Sequence, residues 1–239
     1  MTATDFRASA DRDASVDVAA QLFGELIRSR FSCRAFRGEA VPRTTIEAIL
    51  STAQRTPSWC NTQPWQSLVL SGTATRAFAE AYRTVAATQS GVPDFDFPAA
   101  YKGKYQQRRR ECGWQLYDSV GVKKGDREAS AEQALQNYRF FGAPHLVLIT
   151  TDRDLGVYGA VDCGGYVAMF TLAALSHGVH SVPQAALATH PNFVRNYFGL
   201  PEDQLLVCGI AFGYADLDHP ANGFRTSRAG LDEAVAWLD

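Results

Sequence analysis

Apolar residues recur at helical spacing over residues 16–30, where Val18, Leu22, Leu26 and Ile27 share one face of an amphipathic helix. The period returns after Pro42-Arg43-Thr44. Ile46, Ile49, Leu50 and Ala53 form the stripe, and Thr44 and Glu47 stand at capping-box spacing. Gln66 to Leu70 breaks the period with a short apolar run, the pattern of a buried strand. Gly72-Thr73 opens another helical stretch to about Thr88. Two more follow over 102–120 and 130–140, with a charged turn at 123–129 between them. Gly142 and Pro144 stop the last of these. His145 to Thr151 is β-branched and apolar, which predicts a second buried strand.

The residues from Asp162 to His177 are apolar nearly all round and include Gly164, Gly165, Ala168, Ala173 and Ala174. That pattern predicts a fully buried helix that another helix can approach closely. Gly178 is its stop signal, and the chain leaves through Val179 to Ala186. Leu205 to Gly213 is the third buried strand, 216–228 is rich in turn residues, and Leu231 to Leu238 reads as a short terminal helix. Residues 1–15 are polar with alternating charge and form a loose leader rather than a signal peptide. Residues 90–100 interleave aromatics, acids and two prolines, a long connection of the kind that serves as a lid or a substrate wall. Many helices, few strands and no repeat or linker predict one α+β domain over 16–239, a small sheet covered by helices.

Composition narrows the class. A chain of 239 residues can bury a substantial core without staples. A formal net charge of −2 gives no reason to expect nucleic acid or an anionic membrane as a partner, and no apolar run approaches the ~18 residues of a membrane span. Cys33, Cys60, Cys112, Cys163 and Cys208 are scattered and odd in number, which suits reduced thiols in a cytoplasmic protein, with Cys163 and Cys208 as small core residues. His177, His180 and His190 have no metal-ligand pattern.

Three stretches carry candidate chemistry. Pro57-Ser58-Trp59-Cys60-Asn61-Thr62-Gln63-Pro64-Trp65 lies between a helix and a strand. Its rings, amides and hydroxyls suit a flat aromatic ligand, and equally a capped connector whose Trp residues fill the core. The strip Arg28-Ser29-Arg30-Phe31-Ser32-Cys33-Arg34-Ala35-Phe36-Arg37 holds four cations. Read alone, such a strip is more often a solvated helix end; the alternative is a phosphate clamp of bidentate arginines with a serine donor between them. Phe224-Arg225-Thr226-Ser227-Arg228 is a second basic segment near the C-terminus.

Together these stretches resemble the FMN-dependent, oxygen-insensitive nitroreductase family. Arg30 to Phe36 looks like the family's opening R-x-S-x-[RK]-x-F strip. Pro57 to Trp65 looks like its P-S-x-x-N-x-Q-P-W loop, and Gly209 to Tyr214 followed by Arg225 to Arg228 looks like its last strand and trailing basic pair. The resemblance implies the nitroreductase α+β fold, with a small, mainly antiparallel sheet covered by helices, as an intertwined homodimer with FMN at the interface. Arg30, Ser32 and Arg34 would hold the ribityl chain, phosphate and pyrimidine edge of FMN, and Phe31 would contribute its backbone. Arg228 and Arg225 would bind the phosphate. Pro57, Ser58, Trp59 and Asn61 would reach FMN from the partner subunit. Pro183, Gln184, Ala185 and Ala186 would lie behind the ring, with a backbone N–H, that of Ala185, approaching N5.

Gln184-Ala185-Ala186 stands where some members carry an acid, so any N5 contact here would come from the backbone. Trp59 and Cys60 replace smaller or hydroxyl residues and would face the substrate, Cys60 as an inert wall. The activity implied is ping-pong transfer of hydride from NADH or NADPH through FMN to a small aromatic electron acceptor, a nitroaromatic or quinone, with no dedicated catalytic acid or base. A reductive dehalogenase, or a flavin-storage protein without turnover, are the alternatives on the same fold.

Overall fold

Strand β2 (His145–Asp152) is the spine of the molecule. Val147 and Ile149 point into one hydrophobic cluster and Leu146 and Leu148 into the other, so both faces are covered. A strand covered on both faces reads as a continuous apolar run, and this one does. In the computed structural model, which describes the backbone of residues 3–238 and the side chains of residues 16–238, β2 pairs antiparallel with β1 (Gln66–Ser71) on one side. On the other it pairs antiparallel with β4 (Gln204–Gly213), with an irregularity between Ile149 and Thr150. The edge beyond β4 is β3 (His180–Gln184), also antiparallel, giving the order β1-β2-β4-β3.

Among the described residues seven helices surround this sheet: α1 (Ala3–Ser29), α2 (Arg43–Ala53), α3 (Thr73–Thr88), α4 (Gly103–Ser119), α5 (Arg127–Leu135), α6 (Gly156–Ser176) and α7 (Pro191–Phe198). On one face α2 and α6 bring Ile46, Ile49, Tyr166 and Phe170 against β2 and β4. On the other, Phe78 and Tyr82 of α3 pack with Phe140, Leu187 and Val194. This is the α+β architecture expected, a small antiparallel sheet under helices.

Several expectations need correction. The stretch Val179 to Ala186, expected only to lead the chain out of the helix, contains β3, an edge strand with Pro183 exposed, a place where a missing N–H is tolerated. Helix α7 was not anticipated. Its Pro191 sits in the first turn, and Gly199 closes it in the left-handed conformation at φ 66°. Thr44 caps nothing: α2 begins at Arg43, and Glu47 accepts a bond from the Arg43 side chain at 2.8 Å instead. Residues 231–238 make only a 3-10 turn at Leu231–Glu233, with Trp237 and Leu238 exposed, since an eight-residue helix with no buried face is not self-supporting. Helix α1 begins at Ala3, so the backbone is already helical across most of the expected leader; residues 1–2 and the side chains up to residue 15 lie outside those described.

Helix α6 departs most from its forecast. It starts six residues early, and only one side is buried, through Cys163, Tyr166, Phe170, Ala173 and Ala174. Val157, Tyr158, Val161, Gly164, Gly165 and Ala168 face outward. By length and composition alone Arg153–Ser176 would pass for a membrane span, although no such run was expected; its buried side packs on the sheet as a core helix does. The irregular 90–100 connection is held firmly in the middle. Asp94 takes a bidentate bond from Arg195 (2.7 and 3.0 Å) and another from the Leu206 N–H (2.8 Å).

Candidate active site

Where α1 ends, the chain turns along the free edge of β3. Ser32 bridges Ser181 in parallel, the Cys33 N–H donates to the Ser181 carbonyl at 3.1 Å, and Phe36 bridges Ala215. Asn222, almost wholly buried, locks this strip to the C-terminal segment. Its Oδ1 accepts the Arg34 N–H at 2.8 Å, and its Nδ2 donates to the carbonyls of Ala35 (2.9 Å) and Asp216 (2.7 Å). Arg225 then folds back. Its guanidinium carbon lies 3.8 Å from the centre of the Phe31 ring, and it donates to the carbonyls of Asn222 and Phe224. Phe31 in turn rests on His180 of β3, ring centres 5.3 Å apart.

The result is a cavity of about 400 Å³ into which Arg28, Arg30, Arg34, Arg225 and Arg228 converge, with the hydroxyl residues Ser32 and Thr226 beside them. No acid lines it. Among the described residues none of the five arginines forms an ion pair with Asp or Glu. Burial, and then the like charge of Arg228, push Arg30 below the ordinary arginine value, and burial does the same to Arg34. Two partly desolvated cations beside three exposed ones, with no ion-paired acid among the described residues, form a site for an external anion with several acceptor oxygens.

The loop is built differently. Trp59–Asn61 is one 3-10 turn, and Cys60, Asn61 and Gln63 all adopt left-handed backbone (φ 51°, 56° and 47°). Three such residues without glycine are a concentration of strain. They are held by local bonds. Ser58 Oγ accepts the Gln63 N–H at 2.9 Å, the Gln63 amide donates to Asn61 Oδ1 at 3.2 Å, and Gln54 donates to Gln63 Oε1 at 3.0 Å. The two tryptophans part company. Trp65 is 6% exposed, stacks on Tyr166 and donates to Gln54. Trp59 is 59% exposed and stands edge-on to Tyr158 of α6, centres 4.6 Å apart. Trp65 therefore fills the core, as the connector reading of this loop expects, and Trp59 leaves its ring open to solvent.

The sequence-predicted residues fall into three groups. Arg30, Phe31, Ser32, Arg34, Arg225 and Arg228 line one cavity. Pro57, Ser58, Trp59, Cys60 and Asn61 lie in the loop against α6 and do not line it. Pro183 and Ala185 are exposed on the β3 corner, whereas Gln184 is buried, its amide donating to Asn137 at 2.8 Å; the Gln184 side chain is turned inward, and only the backbone of this corner is presented. Sequence reasoning missed Arg28 and Thr226 as lining residues, although both stood in the basic stretches. It also missed Asn222, read only as a turn residue, and Tyr158 and Asp162, whose partners in the loop are about a hundred residues away.

Comparison with known proteins gives a consistent result. Residues 27–214 match the model of the Nitroreductase family. The chain is 37% identical over 222 residues to nitroreductase NfnB of Mycolicibacterium smegmatis, covering 92% of this chain and 94% of that protein. It is 32% identical over 228 residues to the 4-nitrobenzoate reductase of a Nocardioides species, covering 92% and 91%. Among solved structures, the FMN-dependent nitroreductase NfnB from Mycobacterium smegmatis in complex with NADPH superposes with a TM-score of 0.88 at 36% identity, covering 92% of this chain and all of that one.

Proposed function

The chain belongs to the nitroreductase family, and from that premise we propose that it is an FMN-dependent NAD(P)H oxidoreductase reducing small nitroaromatic or quinone acceptors as a homodimer. The observation that carries the reading is the acid-free cavity of five arginines. FMN ends in a phosphate dianion, and the cavity offers that group bidentate donors and hydroxyls. When bound, FMN supplies acceptance of hydride from the nicotinamide and its delivery to the acceptor.

The chain's own residues bind, orient and exclude water. Arg225 and Arg228 hold the phosphate, and Ser32 the ribityl chain. Arg30 or Arg34 places positive charge beside the pyrimidine edge, where negative charge is stabilised. Pro183 to Ala186 would back the flavin ring, and the backbone N–H of Ala185 would be the donor offered to it. Pro57, Ser58, Trp59 and Asn61 come from the second copy, which accounts for a loop so built lying apart from its own chain's cavity. Trp59 and Cys60 wall the slot that donor and acceptor occupy in turn. The outward face of α6, with Gly164, Gly165 and Ala168, is the natural seat of that second copy. Five unpaired cysteines fit a cytoplasmic setting, with residues 16–239 as the single FMN-binding domain behind a leader over 1–15.

An anaerobic visible spectrum tests the reading. The purified protein is expected to be yellow, to bleach with NADPH or NADH, and to recover its colour on adding a nitroarene or quinone. Colour that neither donor bleaches would indicate flavin storage instead. A protein that neither carries nor takes up FMN would overturn the assignment.

A further inference from the structure

The left-handed turn at Cys60–Gln63 is fastened to the body of the protein by one charged group. Asp162, on α6, accepts the Trp59 N–H on Oδ2 at 3.0 Å across 103 positions of sequence. One turn earlier on the helix, Tyr158 receives the edge of the Trp59 ring. The stretch from Pro57 to Trp65 contains no charged residue of its own. Among the described residues Asp162 has no cationic partner within ion-pair distance. An amide oxygen would hold the Trp59 N–H equally well, so what a carboxylate adds at this place is a negative charge, unpaired within its own chain, at the backbone of an exposed aromatic residue.

We infer that Asp162 is a specificity-determining residue. It fixes the Trp59 wall and biases the slot toward neutral nitroarenes and quinones, against acceptors carrying a carboxylate. The inference rests on the reading of Trp59 and Cys60 as the acceptor wall. With the Trp59 residue between charge and acceptor, in a water-exposed slot, a unit charge changes the preference by about two- to threefold.

The FMN-loaded protein provides the test in two half-reactions. The chain is reduced anaerobically with NADPH, then reoxidised with nitrobenzene or 4-nitrobenzoate at neutral pH. In Asp162→Asn the reoxidation rate with 4-nitrobenzoate relative to nitrobenzene should rise about two- to threefold. In Asp162→Ala, which loses the anchor as well, KM should rise for both acceptors. Asp162→Glu, which keeps the charge, should leave the ratio near that of the unaltered protein, and gives a second reading if Asp162→Ala folds poorly. An unchanged ratio in Asp162→Asn, or an equal rise in Asp162→Glu, overturns the inference. Failure of the unaltered protein to bind FMN, or of NADPH to bleach it, overturns the functional reading beneath it instead.

Discussion

At the scale of single residues the chain is tuned by what burial does to ionisable groups. His145 opens β2 with its Nε2 accepting the Val41 N–H at 2.9 Å and its Nδ1 placed 2.8 Å from Ser71 Oγ, so the ring must be neutral, with its proton on Nδ1. Burial lowers its pKa, as it does for His180, where Arg225 and Arg37 add to the effect, and for His190. The unfolded chain titrates these rings near pH ~6.5. Below that pH the unfolded state binds more protons than the folded one, so stability is full above it and declines as pH falls. Urea unfolding between pH 7.5 and 5 should show this decline, and His145→Gln, which can still accept from Val41, should make it shallower. An identical slope in that variant would remove His145 as a source. The acidic limb of activity is thus expected to reflect loss of the fold rather than titration of a catalytic group. Residues with local signatures, the arginines and Ser32 above all, were legible from sequence. Asn222 and Asp162 were not, because each acts through a backbone group that only the folded chain brings near.

At the scale of elements, the strip after α1 and the segment after β4 are two ribbons with little regular structure, joined by the Phe36–Ala215 bridge with its backbone bonds and by the Asn222 side chain. Asn222 makes three bonds to them and touches no ligand in the proposed reading. Asn222→Ala should cost about 1–3 kcal/mol of stability by orphaning buried backbone groups. It should also weaken FMN binding by tenfold or more, through loss of the Arg34 and Arg225 geometry (about 1.4 kcal/mol per tenfold). Flavin fluorescence titration beside a denaturation curve would separate the two effects, and full FMN affinity in the variant would show that the ribbons hold their shape without it. Elements that obey one period over many residues were readable in advance, such as α2, α3 and β2. Strand β3 was hidden by its proline and α7 by its shortness. The outward side of α6 could not be told from its core side, because small apolar residues mark close approach without saying to what.

At the scale of the whole molecule, a single chain keeps its arginine cavity and its Trp59 loop apart, and leaves Val161, Gly164 and Ala168 uncovered. Two copies joined along α6 would resolve both features at once. Sedimentation should give a dimer. Ala168→Trp, which puts a large ring on the small-residue face, should shift the protein toward monomer and release FMN with it. A dimeric variant with full flavin would place the interface elsewhere.

The five unbalanced cations have a consequence outside chemistry. Two of them, Arg30 and Arg34, are partly buried, and like charge around them works against the fold until an anion joins them, so bound flavin should lengthen the protein's lifetime. At a free concentration one hundred times Kd, a tightly held anion adds about 2.7 kcal/mol to the folded state. A difference of that size changes the steady-state abundance of a marginally stable protein through quality control alone. When flavin is scarce, a cell would hold less of this chain without making less of it, and the level of the enzyme would follow the nutritional state of the cell with no regulator in between.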